Sequence, residues 1–491
     1  MVGGAPSWAD GPRIDTAVPE RSAAAVAAEI DTDATVAVSG FGSVGYPKAV
    51  PLALAADDRD LSLTVISAGS VGDEIDVDLV EADAIARRFA YQARSPIRDA
   101  VNDGRIPMAD RHVVGIARDV LTGRLPRPDV AVIEAVAVGP DWLVPSTSIG
   151  QTPAFVEAAD RLVVEVNTSQ PRGLGAVHDV YRPALPPDRD PIPLTRPGER
   201  LGTAAVRFDP DALLGVVETD RRDSPYEFRS PTDADRAIAT NLAGFLEDEL
   251  PRNPIFSDAL NLQFGVGSLG NALMGAFADV DFGDRRVAYF GEVIQDGLLD
   301  LLDAGTLEAA SATSLALSAD GQDRFFSNID TYADDVVLRP ADVSNAAELV
   351  ERLGVFGVNS ALEVDLYGHV NSTNVAGSRM INGIGGSADF NRHAAVSVVA
   401  LPSTAGGGDV SRVVPMAPHV DHTEHDIDIV VTEHGLADLR ARSPRERAQA
   451  VLENCAHPDF RPALRAYLDR ATDTGGHEPH ELTTAFSWDA E

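Results

Sequence analysis

The sequence predicts an α/β protein made of two similar open domains. Three observations carry this expectation. Apolar runs of strand length alternate with helix-like stretches along the whole chain. A strand, glycine loop, helix pattern occurs twice at a fixed offset. The length of 491 residues is too great for one ordinary hydrophobic core.

The elements follow in order. TVAVSG, LTVIS, VAVIEAVAV and RLVVEVN read as strands of the first half, each a short run rich in β-branched residues. Residues 183–197, PALPPDRDPIPLTRP, hold too many prolines for any regular element. Residues 219–232, TDRRDSPYEFRSPT, are polar and carry two more. DADRAIATNLAGFLEDEL then reads as an amphipathic helix. The domain boundary is therefore placed near residue 225, with an N-terminal domain over 1–225 and a C-terminal domain over 226–491. LNLQFGVG, VAYFGE, VSVVALP and DIDIVVTEHG supply the strands of the second half.

The repeat aligns Gly40, Gly42 and Gly45 with Gly265, Gly267 and Gly270, an offset of 225 residues. The same offset places Glu292, in YFGEVIQDGLLD, opposite Ser67, in LTVISAG. Two similar halves thus offer a strand tip at one place, and only the second puts a carboxylate there.

Composition excludes several classes of function. There are 76 acids against 40 bases, a formal net charge of -36, and Lys48 is the single lysine. The acids are spread singly and in pairs, a pattern expected of a surface adapted to high salt, where repulsion is screened over a few ångströms. Nucleic acid needs clustered Lys and Arg, and anionic membranes repel such a surface, so neither is expected as a partner. The start, MVGGAPSWADGPR, lacks a basic region followed by an apolar one, and no apolar run reaches membrane-spanning length. A single cysteine, Cys455, rules out an internal disulfide framework and a thiolate zinc cluster. A cytoplasmic protein is expected.

Both glycine loops match G-x-G-x-x-G, and Glu292 lies 22 residues after Gly270. A nicotinamide-dependent dehydrogenase is therefore one reading of these residues. The less specific reading is that glycines let backbone amides approach an anion or a developing oxyanion at a helix start. Residues 359–393, NSALEVDLYGHVNSTNVAGSRMINGIGGSADFNRH, are dense in Asn, Ser and Gly, and Gly383, Gly385 and Gly386 suggest backbone exposed to a ligand. His419, His422 and His425 are evenly spaced among acids. They follow prolines and run into a strand, so hydrogen bonding to neighbouring loops is expected rather than a metal. Glu433 stands at the carboxyl end of DIDIVVTE, where open α/β sheets place their chemistry, or caps a helix GLADLRARS. There is no G-x-S-x-G elbow and no P-loop.

GEVIQDGLLDLLDAG, ALEVDLYGHVNSTNVAGSRMINGIGGSADF and VPMAPHVDHTEHDIDIVVTEHGLADLR resemble the acetyl-CoA hydrolase/transferase family. SGFGSVGYPKAV, RRFAYQ, LVPSTSIGQTPAF and HDVY agree with it in the first half. Within the class I CoA-transferases, the likeness is greatest to succinyl-CoA:acetate CoA-transferases. The resemblance implies two similar α/β domains with the active site at their interface, and a homodimer is expected. It implies that Glu292 attacks an acyl-CoA and then carries CoA as a glutamyl thioester. It places Asn345 beside that nucleophile and Glu433 near the acyl site. It assigns CoA binding to Gly265, Val266, Gly267, Ser268, Leu269, Gly270 and Asn271, and to Asn382 and Gly386 in the turn NGIGG. Amides of the glycine loop and of Gly386 would stabilise the oxyanions. Coenzyme A enters as substrate, with short-chain carboxylates as partners and no prosthetic group or metal. Acetyl-CoA hydrolysis and transfer to 4-hydroxybutyrate, propionate or butyrate are the alternatives. One departure stands out. Gly406, in TAGGGD, occupies the place of a lysine near the CoA phosphates, leaving Arg379 and Arg392 as possible sources of that charge.

Overall fold

The computed structural model describes residues 11–91, 94–224 and 229–488. The expected boundary near residue 225 and the first ten residues of the chain lie outside them. The chain divides into two compact units. The first comprises Met1–Glu227, Tyr289–Asp296 and Glu308–Leu349. The second comprises Phe228–Ala288, Gly297–Leu307 and Val350–Glu491.

The first unit is built on β1 (Thr35–Val38), β2 (Leu63–Ile66), β3 (Ile85–Phe89), β4 (Val130–Val138), β5 (Trp142–Pro145), β6 (Arg161–Asn167), β7 (Val206–Arg207) and β8 (Leu213–Thr219). Parallel pairing gives the order β3-β2-β1-β4-β6-β8. β5 folds back antiparallel on the end of β4 and carries β7. Sequence order reverses between β1 and β4, so the Gly40–Gly45 loop after β1 sits at a topological switch point. Alternate residues explain the apolar runs. Val36 and Val38 enter one core cluster while Ala37 enters another, so both faces of the sheet are covered. β4 is buried at every position, Glu134 included.

The later segments of this unit are short. Val293–Ile294 pairs in parallel with Ser314–Leu315, and Ala309–Ala312 with Val336–Leu338.

The second unit aligns Ala259–Phe264, Val355–Ser360, Val396–Ala400 and Ile429–Thr432 in parallel. The predicted helix forms over Asp233–Glu249, started by a capping box between Thr232 and Asp235. GLADLRARS differs from expectation: Gly435–Asp438 is an antiparallel strand against Ile429–Thr432, not a helix. Gly435 takes φ +147°, a conformation glycine tolerates, and reverses the chain directly after Glu433 and His434. No described helix is long and apolar enough to cross a membrane.

Candidate active site

Glu292 lies in the bend between the strands Arg286–Phe290 and Val293–Ile294. Its backbone is fixed from both sides. Gly291 N donates to Ser311 O at 3.0 Å, and Glu292 O accepts from Thr313 N at 2.8 Å and Ser314 N at 3.3 Å. Gly291 must be small, since a Cβ there would lie 2.3 Å from the Tyr289 hydroxyl. After the bend, Val293 packs with Phe41, Ala68, Val113, Ala316 and Ala341. A Cβ on Gly42, at φ +70°, would meet Val293 at 3.3 Å, so the first glycine loop closes against this strand.

The carboxylate has one direct side-chain partner among the described residues. Asn345 Nδ2 donates to Glu292 Oε1 at 2.6 Å, and Ser344 Oγ donates to Asn345 Oδ1 at 2.8 Å. Removal from water pushes the Glu292 carboxyl up to about 7, with the Asn345 hydrogen bond opposing the rise. Among the described residues no cation offsets the charge. The group is therefore poorly solvated and held by a neutral donor, which suits a carboxylate that must act as a nucleophile.

A loop from the first half organises both partners. Ile149 N donates to Thr313 O and Leu315 N to Thr147 O, both at 2.9 Å. Gly150 N donates to Thr313 Oγ1 at 3.0 Å, and Ala341 N to Gly150 O at 2.9 Å. Ala341 opens the short helix Ala341–Ser344, whose C-cap is Asn345. Residues 147–150 thus support the strand beside Glu292 and the helix that presents Asn345. Position-by-position reading missed this loop. LVPSTSIGQTPAF held a usable signal, a polar run directly after the apolar strand β5.

The remaining candidates lie in the second unit, Gly265 to Asn271 and Glu433 directly after parallel strands and the others in the connections between those strands. Gly265 N donates to Val358 O at 2.8 Å, and Asn271 N to Gly267 O at 3.1 Å. The helix Ser268–Phe277 starts at Gly267 (φ +141°) with no side-chain cap, so Ser268, Leu269 and Gly270 present the uncapped amides of a first turn. Val266 is exposed, and the buried side-chain oxygen of Asn271 has no hydrogen-bond partner among the described residues. Gly386 is the N-cap of the helix Ser387–Asn391, and Asn382 N donates to Thr373 O at 3.4 Å. Asn359 joins the strand before the first glycine turn to the helix after the second, accepting from Gln263 at 3.2 Å and donating to Asn391 at 2.7 Å. Glu433 accepts from Ser403 N at 2.8 Å and Ser403 Oγ at 2.6 Å. Gly406 (φ +60°) is exposed in the hairpin between Thr404–Ala405 and Val410–Ser411. Arg379 and Arg392 are exposed, and Arg392 lies 4.0 Å from Asp426.

The three evenly spaced histidines have separate partners. His419 meets Asp421 at 3.1 Å, His422 meets Ser387 at 3.2 Å and His425 meets Glu424 at 2.8 Å. Elsewhere in this unit His369, Glu424 and Glu478 converge. The His369 ring already sits between Asp365 at 3.1 Å and Glu424 at 2.9 Å. The Asp365 hydrogen bond holds its pKa up at about 9, as in a part-buried imidazolium ion pair.

The two-unit α/β architecture recurs in solved structures. RipA from Yersinia pestis superposes with a TM-score of 0.72 over 93% of this chain and 98% of its own, at 21% identity. The sequence gives a sharper result. The acetyl-CoA hydrolase/transferase N-terminal domain matches residues 20–218, and the C-terminal domain matches residues 321–468. Succinyl-CoA:acetate CoA-transferase of Clostridium kluyveri is 41% identical over 94% of this chain and 86% of its own length. Acetyl-CoA hydrolase of Eremothecium gossypii is 42% identical over 91% of this chain and 89% of its own. The chain belongs to the acetyl-CoA hydrolase/transferase family.

Proposed function

We propose that this enzyme of acyl-CoA chemistry is a CoA-transferase that moves CoA between a short-chain acyl-CoA and a free carboxylate, acetate and succinate being the leading pair. The observation that carries the reading is the Glu292 carboxylate: desolvated, held by Asn345 alone among the described side chains, and fixed at a strand tip. The 41% identity to a succinyl-CoA:acetate CoA-transferase supports the substrate pair.

A Glu292 oxygen attacks the thioester carbonyl carbon. The C–S bond breaks and CoA leaves as thiolate, giving an acyl-glutamyl anhydride. The thiolate attacks the Glu292 carbonyl of that anhydride, which releases the first carboxylate and leaves a glutamyl-CoA thioester. The second carboxylate reverses these steps and frees Glu292. No net proton or hydride moves. Uncapped amides at Ser268, Leu269 and Gly270, with Gly386, are the proposed donors to CoA and to the oxyanions. One well-placed donor contributes roughly 3 kcal/mol. Glu433, fixed by Ser403, is proposed to act at the acyl group.

Hydrolysis is the second reading, favoured by the 42% identity to an acetyl-CoA hydrolase. Water then replaces the second carboxylate.

The test is to incubate the protein with succinyl-CoA or acetyl-CoA, treat it with borohydride or hydroxylamine, and map the product by mass spectrometry. Modification at Glu292 is expected, and Glu292→Ala should neither be modified nor transfer CoA. An unmodified chain that still consumes acyl-CoA would sink the covalent mechanism. Turnover that ignores added acetate or succinate would favour hydrolysis.

A further inference from the structure

The single lysine of the chain is fully buried, as are both carboxylates that it meets. Lys48 Nζ donates to Tyr46 O at 2.7 Å and to Glu134, and it lies 2.8 Å from Asp223 Oδ1. Three acceptors therefore meet the three N–H groups of one compact ammonium, a geometry that the planar fork of arginine does not reproduce. Each carboxylate then grips the loop described above. Ser146 Oγ donates to Glu134 Oε1 at 2.5 Å, and Thr147 Oγ1 donates to Asp223 Oδ2 at 2.7 Å. Gly45 N, in the glycine loop that closes on Val293, donates to Asp223 Oδ1 at 3.1 Å.

From Thr147 the contacts run on without a gap. Thr147 O accepts from Leu315 N, Ile149 N and Gly150 N hold Thr313, and Thr313 N holds Glu292 O. Gly150 O accepts from Ala341 N, at the start of the helix capped by Asn345. One anchored loop thus sets both ends of the 2.6 Å Asn345–Glu292 hydrogen bond.

We propose that Lys48, with Glu134 and Asp223, is a positioning residue for Glu292, acting through residues 146–150 on Glu292 and Asn345 together. The proposal rests on the reading of Glu292 as the nucleophile. Burial favours a role that a surface pair could not fill. An ammonium between two carboxylates in a dry interior leaves a steep loss when any member is removed, so the loop has one position rather than several.

The test uses three variants of the full chain. Lys48→Met strands two buried carboxylates. Thr147→Val leaves the ion network whole and cuts its Asp223 link to the loop, while the Ser146–Glu134 link remains. Thr147→Ser restores the hydroxyl. The rate of Glu292 adduct formation in a single turnover should fall roughly 10- to 100-fold in Lys48→Met and Thr147→Val, the cost of a displacement near 1 Å. KM for acyl-CoA should change far less, and Thr147→Ser should recover the rate. If Lys48→Met does not fold, Thr147→Val and its rescue decide the matter. Normal adduct rates in folded Lys48→Met or in Thr147→Val overturn the proposal, as does a loss carried by KM alone. Amide exchange at Ile149, Gly150 and Leu315 should quicken in both Lys48→Met and Thr147→Val. This readout keeps the two ideas apart. A wild-type protein that forms no adduct removes the nucleophile reading. Unchanged exchange in both variants removes the positioning network.

Discussion

Replacing Glu292 by glutamine removes the proposed nucleophile and is expected to make the protein more stable at neutral pH. The magnitude follows from the burial of the carboxyl, which lifts it from 4.5 to about 7. Each unit of pKa difference corresponds to about 1.4 kcal/mol, so the folded state gives up about 3 kcal/mol as an upper bound when this group ionises. The sign is set by which state releases its proton first. Below 4.5 the carboxyl is protonated folded and unfolded, and it contributes nothing. Between 4.5 and 7 the unfolded chain ionises while the folded one holds its proton, so stability declines as pH rises. Above 7 the full penalty is present. Glutamine does not titrate, and its Oε1 can still accept from Asn345. The stability gain of Glu292→Gln should therefore be small near pH 4, grow through the window, and level off above pH 7. Urea unfolding of both proteins at fixed salt across this range measures it. A difference that does not vary with pH, or a glutamine variant less stable at pH 8, would refute the reasoning that Glu292 is held desolvated.

Two further expectations concern single contacts. Asn345→Ala deletes the group that lowers the Glu292 pKa, so the acid limb of adduct formation should move to higher pH, and a limb that stays put or moves down contradicts the assignment. His369 is held at about 9 by Asp365, with Glu424 adding to it, so its stabilisation is fully present below 6.5 and is lost as pH rises through 9. With the ring 19% exposed, His369→Gln should cost about 2 kcal/mol near pH 6 and almost nothing near pH 10, as read by the same unfolding assay.

The strands were legible because each is a short apolar run between breakers. VAVIEAVAV became β4 and DIDIVVTE became Ile429–Thr432, since burial on both faces demands continuous apolar residues. GLADLRARS was not legible in the same way. Its helix-like composition yields to Gly435, which turns the chain back so that Leu436 pairs with Val431 and Ala437 with Val430. At the site, Glu292 stood out as the carboxylate without a counterpart. Ser67, its equivalent in the repeat, is buried, accepts from Arg88 at 2.8 Å and donates to Gly69 O at 2.7 Å. A lone Lys48 was visible in the composition, but its partners Glu134 and Asp223 lie 86 and 175 positions further along the chain. No local pattern announces a contact of that reach.

The sequence by itself determined where strands end, where glycines free the backbone, and that Glu292 stands at one such end. These are short-range properties, fixed by side-chain shape and by the alternation of apolar residues. Tertiary structure alone decided that Tyr289–Asp296 joins the first unit and that one buried ammonium holds the loop supporting Glu292 and Asn345, while the family resemblance had already placed Asn345 beside Glu292. The physical reason is desolvation. A carboxylate changes character only when distant segments exclude water around it, and the identity of those segments is a property of packing rather than of any stretch of chain.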